Sequence, residues 1–439
     1  MRNAESHEGG SLLALALLAL VAGALAGLVG AIFRLSLVEA DRLRNALIDW
    51  AHGREVLGLL LVIALCACAT ALAAWLVRRF SPHASGSGIP DVEAVIRGEL
   101  PPAPFALIPV KFLGGLLAIG AGLALGREGP TVQMGASLAH LVGRLFRRGW
   151  PDCRVLIAAG AGAGLGTAFN APIAGAVFVL EELVQQFERR IAVAALAASA
   201  TAIGVARLLL GDTPDFHVVG LGYGDAGTRP LYFLFGAFAG VLAVAYNRAL
   251  IATRAAARRL IPAPVELRAG VIGAAVGILA WFAPGLVGGG DAITQSVLAG
   301  GTALAAIPAA FLVRFALGPL SYATGAPGGL FAPMLVLGAQ FGFLFGAVCH
   351  RLIPIVDIQP EGFAVVGIAA FFAGVVRAPI TGIVLATEMT GSVTTLLPML
   401  CACAAAMLAT ALLKEPPIYE SLRERALPGD KPTIPPGGA

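Results

Sequence analysis

Charge is scarce in this chain. Only 13% of its 439 residues are Asp, Glu, Lys or Arg, about half of the roughly 25% typical of soluble domains. The net charge is a small +4, and the arginines scatter among short loops, so no basic stripe points to a nucleic-acid partner. Histidine and cysteine are just as thin, with six of each. The histidines show no metal-ligand spacing and carry no assignment. Cys66 and Cys68, like Cys401 and Cys403, form Cys-X-Cys pairs without nearby His or further Cys. That pattern predicts small packing residues, with no structural metal and no disulfide.

Apolar side chains take the place of charge. They make up 58% of the residues, and the mean hydropathy is +0.85. A soluble core cannot absorb that much apolar surface, because soluble domains split as they grow. A lipid bilayer can, so the chain reads as a polytopic integral membrane protein. Residues 12–35, 56–77, 190–210, 230–253, 268–286 and 395–413 are long apolar runs, each sufficient for about 30 Å of hydrocarbon. The first run, at 24 residues, is too long for the core of a signal peptide and predicts a first membrane helix. Arg144, Arg147, Arg148, Arg254, Arg258 and Arg259 read as cytoplasmic-side anchors.

Other segments (105–125, 131–143, 155–180 and 331–350) are crowded with Gly, Ala and Pro, and several look too short to span. Small residues four apart, such as Gly160 and Gly164, let helices pack backbone to backbone. Tilted, broken and half-spanning helices are expected. Irregular backbone at membrane depth is tolerated only where it is buried or lines a polar site.

The two halves repeat. Residues 160–181 align with 367–388 at an offset of 207, with identities at Gly160, Ala171, Pro172, Ile173, Gly175, Val177 and Glu181. The block GREGPTVQMGA from Gly126 aligns with GLFAPMLVLGA from Gly329 at an offset of 203, which places Glu128 on Phe331. Such repeats mark secondary transporters and related channels, whose site lies at the repeat interface near the midplane. The predicted organisation is an N-terminal tail 1–11, a first half 12–210, a connector 211–230, a second half 231–413 and a short C-terminal segment 414–439.

Three motifs look built to hold an anion. GSGIP from Gly86 puts Ser87 near a helix start with Pro90 in its first turn. GREGP, with Gly126, Arg127, Glu128, Gly129 and Pro130, and GLFAP, with Leu330 and Phe331, likewise put Gly and Pro at helix starts. A helix N-terminus exposes unpaired N–H groups and about half a positive charge, so it binds anions without a full cation. A transported ion must also leave, which a buried Lys or Arg partner would hinder.

GSGIP, GREGP and GGLFAP, with Tyr419 in PPIYESL, resemble the four segments lining the chloride pathway of CLC channels and transporters. FNAPIAGAVFVLEE and RAPITGIVLATEMT extend the likeness over about residues 86–425. The resemblance implies an all-α polytopic CLC-type fold with about eighteen membrane-embedded helices in two inverted repeats. It also implies a homodimer with one pathway per subunit. The hydroxyls of Ser87 and Tyr419, with backbone N–H groups of Leu330 and Phe331, would coordinate the central chloride. Asp91 stands where a Glu commonly follows the first motif, which keeps a carboxylate there.

Glu128 is the leading functional residue. A carboxylate beside helix N-termini competes with chloride for the anion site, and protonation releases the site while loading a proton. Glu181 and Glu182 are adjacent, so their side chains point about 100° apart and cannot share a role. By the resemblance Glu182 is the inner proton acceptor, whereas Glu181, matched by Glu388, is structural. Lys111, in the otherwise apolar PVKFLGG, resembles a lysine of family transporters; it either tunes the field near the inner glutamate, with Glu93 as a neighbour, or snorkels.

The predicted function is secondary active exchange of chloride for protons. The alternative is a passive chloride channel of the same fold; a fluoride exchanger or a nitrate-selective member is disfavoured by Ser87. A membrane-embedded enzyme would need a nucleophile, base or metal set beside the motifs, and neither His, Cys nor the Lys-Ser/Thr of a P-loop accompanies them. No catalytic residue, metal or cofactor is therefore assigned, and chloride is substrate. The chain stops thirteen residues after Ala426, which suggests no regulatory domains and a prokaryotic inner membrane.

Overall fold

The computed structural model describes residues 2–218, 220–221, 226–354 and 358–426, so parts of the connector and of the C-terminal segment lie outside the described residues. Helix is the only regular structure among them, as the Gly, Ala and Leu content requires in lipid: a helix satisfies its own backbone groups. The first half contributes α1 (Arg2–His52), α2 (Glu55–Phe80), α3 (Ile89–Ile96), α4 (Leu107–Gly120), α5 (Glu128–Leu145), α6 (Trp150–Phe169), α7 (Pro172–Phe178) and α8 (Arg189–Leu210). The second contributes α9 (Arg229–Leu260), α10 (Val265–Phe282), α11 (Asp291–Leu298), α12 (Ile307–Tyr322), α13 (Phe331–Leu352), α14 (Pro360–Val376), α15 (Pro379–Thr390) and α16 (Leu396–Leu412). A final helix, α17 (Ile418–Ala426), has no counterpart.

The helices pair as the sequence repeat requires. Within the first half α1 packs on α8, and α5 on α6; within the second α9 packs on α16, and α13 on α14. Between halves, α2 packs on its equivalent α10, and α7 on α15. The α5–α6 seam runs through Gly135, Gly160 and Gly164, where an added Cβ would overlap a backbone carbonyl across the seam. Gly338 and Gly367 repeat that seam in the second half.

The repeats are inverted, and two carboxylates show it. Glu181, just past α7, accepts the N–H groups of Ile380 and Thr381 at the start of α15, at 2.9 and 2.6 Å. Glu388, near the end of α15, accepts those of Ile173 and Ala174 at the start of α7, at 3.1 and 2.8 Å. The end of each helix therefore meets the start of its equivalent, and the two run antiparallel.

Among the described residues, seven helices are long and apolar enough to span a membrane. The segment 331–350, one of the stretches crowded with Gly, Ala and Pro, is part of the 22-residue Phe331–Leu352 and is one of the seven. Pro333 sits in its first turn, where a missing N–H costs nothing, so proline did not shorten it. Conversely 155–180 breaks into α6 and α7 at Asn170, whose left-handed φ of 51° closes α6. The long apolar run 395–413 gives only the 17-residue Leu396–Leu412.

Candidate functional site

The site forms where helix starts from both halves meet. Gly126 donates its N–H to the Gly329 carbonyl at 2.9 Å, and Gly329 donates back at 2.7 Å. These residues are repeat equivalents, so this antiparallel bridge lies on the pseudo-two-fold axis. It sets α5, beginning at Glu128, against α13, beginning at Phe331. Gly129 approaches Ser87 and Gly329 so closely that an added Cβ would lie 2.6 Å from the Ser87 carbonyl and 2.9 Å from the Gly329 Cα. Only glycine fits where three backbones converge.

Glu128 fills the space between these backbones. Its side chain is fully buried, and one carboxylate oxygen accepts the Phe331 N–H at 2.6 Å. Among the described residues the other has no hydrogen-bond partner. A Cβ at Gly126 or Gly329 would overlap the carboxylate, so the glycines are what make room for it. The acid therefore holds an anion-binding helix start on the opposite repeat.

Ser87 and Tyr419 approach from the other side. Both are 0% exposed and lie within reach of each other, and among the described residues neither hydroxyl makes a well-formed hydrogen bond. Leaving a buried hydroxyl unsatisfied costs about 1–3 kcal/mol, so two together mark a place built for a polar ligand. Tyr419 lies in electrostatic reach of Glu128 and Glu182, and its ring is 6.0 Å from that of Phe331. Phe331 also packs on Phe169, Phe178 and Phe372, so rings from both halves fix the helix start carrying its N–H. Leu330 beside it is fully buried.

Cavities reach this cluster from two sides. One, of about 250 Å³, is lined by Gly126, Arg127, Asp291 and Ala332. Another, of about 380 Å³, is lined by Gly86, Gly88, Tyr322, Arg254 and Arg423. The basic loops around Arg144–Arg148 and Arg254–Arg259 contrast with residues 283–306, which lack Lys and Arg. By that asymmetry the larger cavity is cytoplasmic and the smaller external.

Arg127 points outward into an ion-pair cluster. It donates to Asp291 at 2.7 Å, to Asp215 at 3.0 Å and to the Ala168 carbonyl at 2.7 Å. Asp215, in the connector, also pairs with Arg34 at 2.8 Å. Sequence reading found Arg127 and missed its partners, because they lie 88 and 164 residues away.

Glu182 stands apart on the cytoplasmic side, buried, with Glu93, Glu181, Glu420 and Arg97 as its electrostatic neighbours. It sits on a π turn, Val179–Leu183, that continues α7. A π turn adds a residue to the helical circuit and is common at functional positions; Glu181 and Glu182, adjacent on it, point in separate directions. The equivalent α15 has no such turn.

Lys111 is buried and donates to the Ala84 and Gly86 carbonyls at 3.1 and 2.8 Å, with Asp91 as its charged neighbour. The Gly86 carbonyl also accepts the Gly328 N–H at 3.0 Å, tying the Ser87 loop to that of Phe331. The expected closeness of Glu93 to Lys111 is replaced by pairs from Glu93 to Arg423 at 2.7 Å and Arg97 at 2.9 Å. In the second half Arg314 repeats the role of Lys111, donating to the Leu286, Gly288 and Gly289 carbonyls before α11.

An all-helical fold of inverted halves, with opposed helix starts around a buried carboxylate, defines an anion-conducting membrane protein. The chain belongs to the voltage gated chloride channel family, whose profile matches residues 69–411. It is 37% identical over 424 residues to the H(+)/Cl(-) exchange transporter ClcA of Vibrio parahaemolyticus serotype O3:K6, covering 94% of this chain and 90% of the relative. The exchange transporter ClcA of Salmonella arizonae is 36% identical over 426 residues, covering 94% and 89%. Among solved structures, a slow cyanobacterial Cl-/H+ antiporter superposes with a TM-score of 0.90 at 32% identity, covering 94% of this chain and 97% of the other. A CLC-type fluoride/proton antiporter shares the fold, with a TM-score of 0.79 at 23% identity, covering 93% and 97%.

Proposed function

We propose that this chain exchanges chloride for protons across a bacterial inner membrane. The observation that carries the reading is the Glu128 carboxylate on the Phe331 N–H. There the acid occupies a donor that a transported anion would use, so chloride and the ionised side chain exclude each other. Protonation cancels the charge that holds Glu128 in place. The helix start then becomes free for chloride at the moment a proton is bound. This is coupling through competition for one position.

Other residues take roles around that step. Ser87 and Tyr419 hydroxyls donate to the central chloride, joined by the N–H groups of Leu330 and Phe331. Arg127, Gly126, Gly129 and Pro130 shape the outer side of Glu128. Glu182 passes protons between the cytoplasm and Glu128, and Lys111 fixes the Ser87 loop. Chloride and protons are the only substrates, no cofactor takes part, and the protein works as a homodimer. The functional division is into halves 12–210 and 231–413, joined by 211–230 and flanked by 1–11 and 414–439.

The test is direct. In reconstituted vesicles an imposed chloride gradient should drive protons uphill. Chloride movement without any proton movement would make the protein a passive channel and overturn the exchange reading.

A further inference from the structure

Ser87 and Tyr419 reach the site from two different short helices. Ser87 lies just ahead of α3, and Tyr419 is the second residue of α17. A nine-residue helix such as α17 has too few turns to be stable by itself. The place of the Tyr419 hydroxyl relative to that of Ser87 is therefore set by what α17 is attached to.

Ahead of α17, Glu415 pairs with Arg248 at 2.8 Å, and its carbonyl accepts from Arg377 at 2.6 Å. Within the helix, Ile418, Tyr419 and Leu422 are buried. Apolar burial is non-directional, so it seats the helix without fixing its register. Arg423 supplies the direction. One turn past Tyr419, and so on the same face of α17, it donates to Glu93 of α3 at 2.7 Å and lies 3.8 Å from Glu99. The Arg423 side chain is 12% exposed and that of Glu93 4%. Among the described residues these are the only ion pairs of α17. The helix that follows Ser87 and the helix that carries Tyr419 are thus joined by one buried charged contact.

We propose that Arg423 is a positioning residue for chloride: its pair with Glu93 clamps α17 to α3 one turn behind the site and fixes the gap between the Tyr419 and Ser87 hydroxyls. The inference rests on the exchange reading, in which both hydroxyls hold the central chloride. A charge-assisted hydrogen bond is short and directional, so it holds a distance that apolar contacts would let slide. With the clamp released, Tyr419 draws back from the anion, and chloride passes between the two hydroxyls without waiting for Glu128.

The readouts are chloride binding, titrated by calorimetry in detergent, and the proton-to-chloride ratio in reconstituted vesicles. In Arg423→Gln, Glu93 keeps Arg97 at 2.9 Å, so the buried carboxylate stays paired and the fold is retained. The chloride Kd should rise about tenfold, the loss of one hydrogen bond to a charged group, and the ratio should fall. The contact with Glu93 is a single N–H···O bond, so Arg423→Lys should recover most of both. Tyr419→Ala removes the ligand itself, and adding Arg423→Gln to it should weaken binding no further. A lower unfolding midpoint in Arg423→Gln, with Kd and ratio unchanged, would make the pair structural and overturn the clamp. A double variant weaker than Tyr419→Ala by the full factor of Arg423→Gln would overturn it too, because Arg423 would then act without Tyr419. Neither chloride binding nor chloride flux in the wild type would overturn the exchange reading itself.

Discussion

Glu181 and Glu388, 207 residues apart in sequence, each close the other's helix. Each accepts two backbone N–H groups at the start of the helix that its counterpart follows or ends. A carboxylate is the right residue there, since the first N–H groups of a helix have no internal acceptor and carry partial positive charge. The pair locks α7 against α15 and leaves Glu181 no free donor-facing edge. Glu182, one residue on, makes no such bond to the second half.

Glu388→Gln should therefore be a stability mutation. An amide oxygen can replace only part of a bidentate carboxylate, and hydrogen bonds to charged groups are worth about 1.5–3 kcal/mol. A loss of about 2 kcal/mol is expected, read as a lower unfolding midpoint in detergent. The proton-to-chloride ratio of the surviving transport should not move; a changed ratio would put Glu388 in the proton path.

Glu128→Gln should separate the two fluxes. The amide has no charge to lose and cannot load a proton at any working pH. Chloride flux should continue while uphill proton movement falls to background, measured by a pH electrode on a vesicle suspension under a chloride gradient. Wild-type proton pumping in this variant would remove Glu128 from the mechanism.

Glu182→Gln should give the same split from the other end. Its carboxylate is buried among Glu93, Glu181 and Glu420, and nothing bonds it to the helix starts. Proton movement should drop by more than tenfold while chloride moves on. Glu181→Gln, by contrast, should act on stability like Glu388→Gln, so the neighbouring variants distinguish relay from lock.

The sequence carried the anion motifs and the repeat because both are local. Ser87, Glu128 and Phe331 announce themselves by Gly and Pro at fixed spacing, and Glu181 by its match with Glu388. What remained hidden depends on contacts across the chain. Asp215 looks like any loop carboxylate until Arg34 and Arg127 converge on it. Arg314 lies 203 residues from Lys111, but only the carbonyls it reaches reveal the equivalence. The π turn at Glu182 has no sequence period of its own, because one extra residue in a circuit leaves no Gly or Pro behind.

Asp215→Asn tests the outer cluster. The connector is stitched to both halves: Thr213 accepts from Asn170, Phe216 N–H bonds the Met389 carbonyl, and His217 exchanges two hydrogen bonds with Gln295. The Asp215 side chain is 8% exposed between two arginines. Removing one partner of a buried pair costs about 3–5 kcal/mol, and part of that is expected here because the arginines keep some solvent. Arg127, still held by Asp291, should stay near Glu128, so exchange should slow without losing its stoichiometry. Asp215→Glu should recover most of the unfolding midpoint, and no loss in Asp215→Asn would show that the cluster does not hold the connector.

Lys111 and Asp91 supply the last test, by a double-mutant cycle. Lys111 is fully buried, so its charge is tolerated only with compensation: two carbonyls at hydrogen-bond distance and Asp91 as charged neighbour. In Lys111→Met the Gly86 carbonyl keeps the Gly328 N–H, but Asp91 is left without its buried cation. Asp91 is half-buried, lines the cytoplasmic cavity and also has Gln133, so the cost should lie below the roughly 3–5 kcal/mol of a broken buried ion pair. Asp91→Asn alone leaves the ammonium only its two carbonyls and should cost a similar amount. In the double variant both charges are gone, and only the Ala84 carbonyl loses its donor, at about 1–3 kcal/mol. The losses should therefore not add, and the double variant should be more stable than their sum by about 1–2 kcal/mol. Additive losses in the unfolding midpoints would mean that Lys111 serves the Ser87 loop through its carbonyl bonds alone.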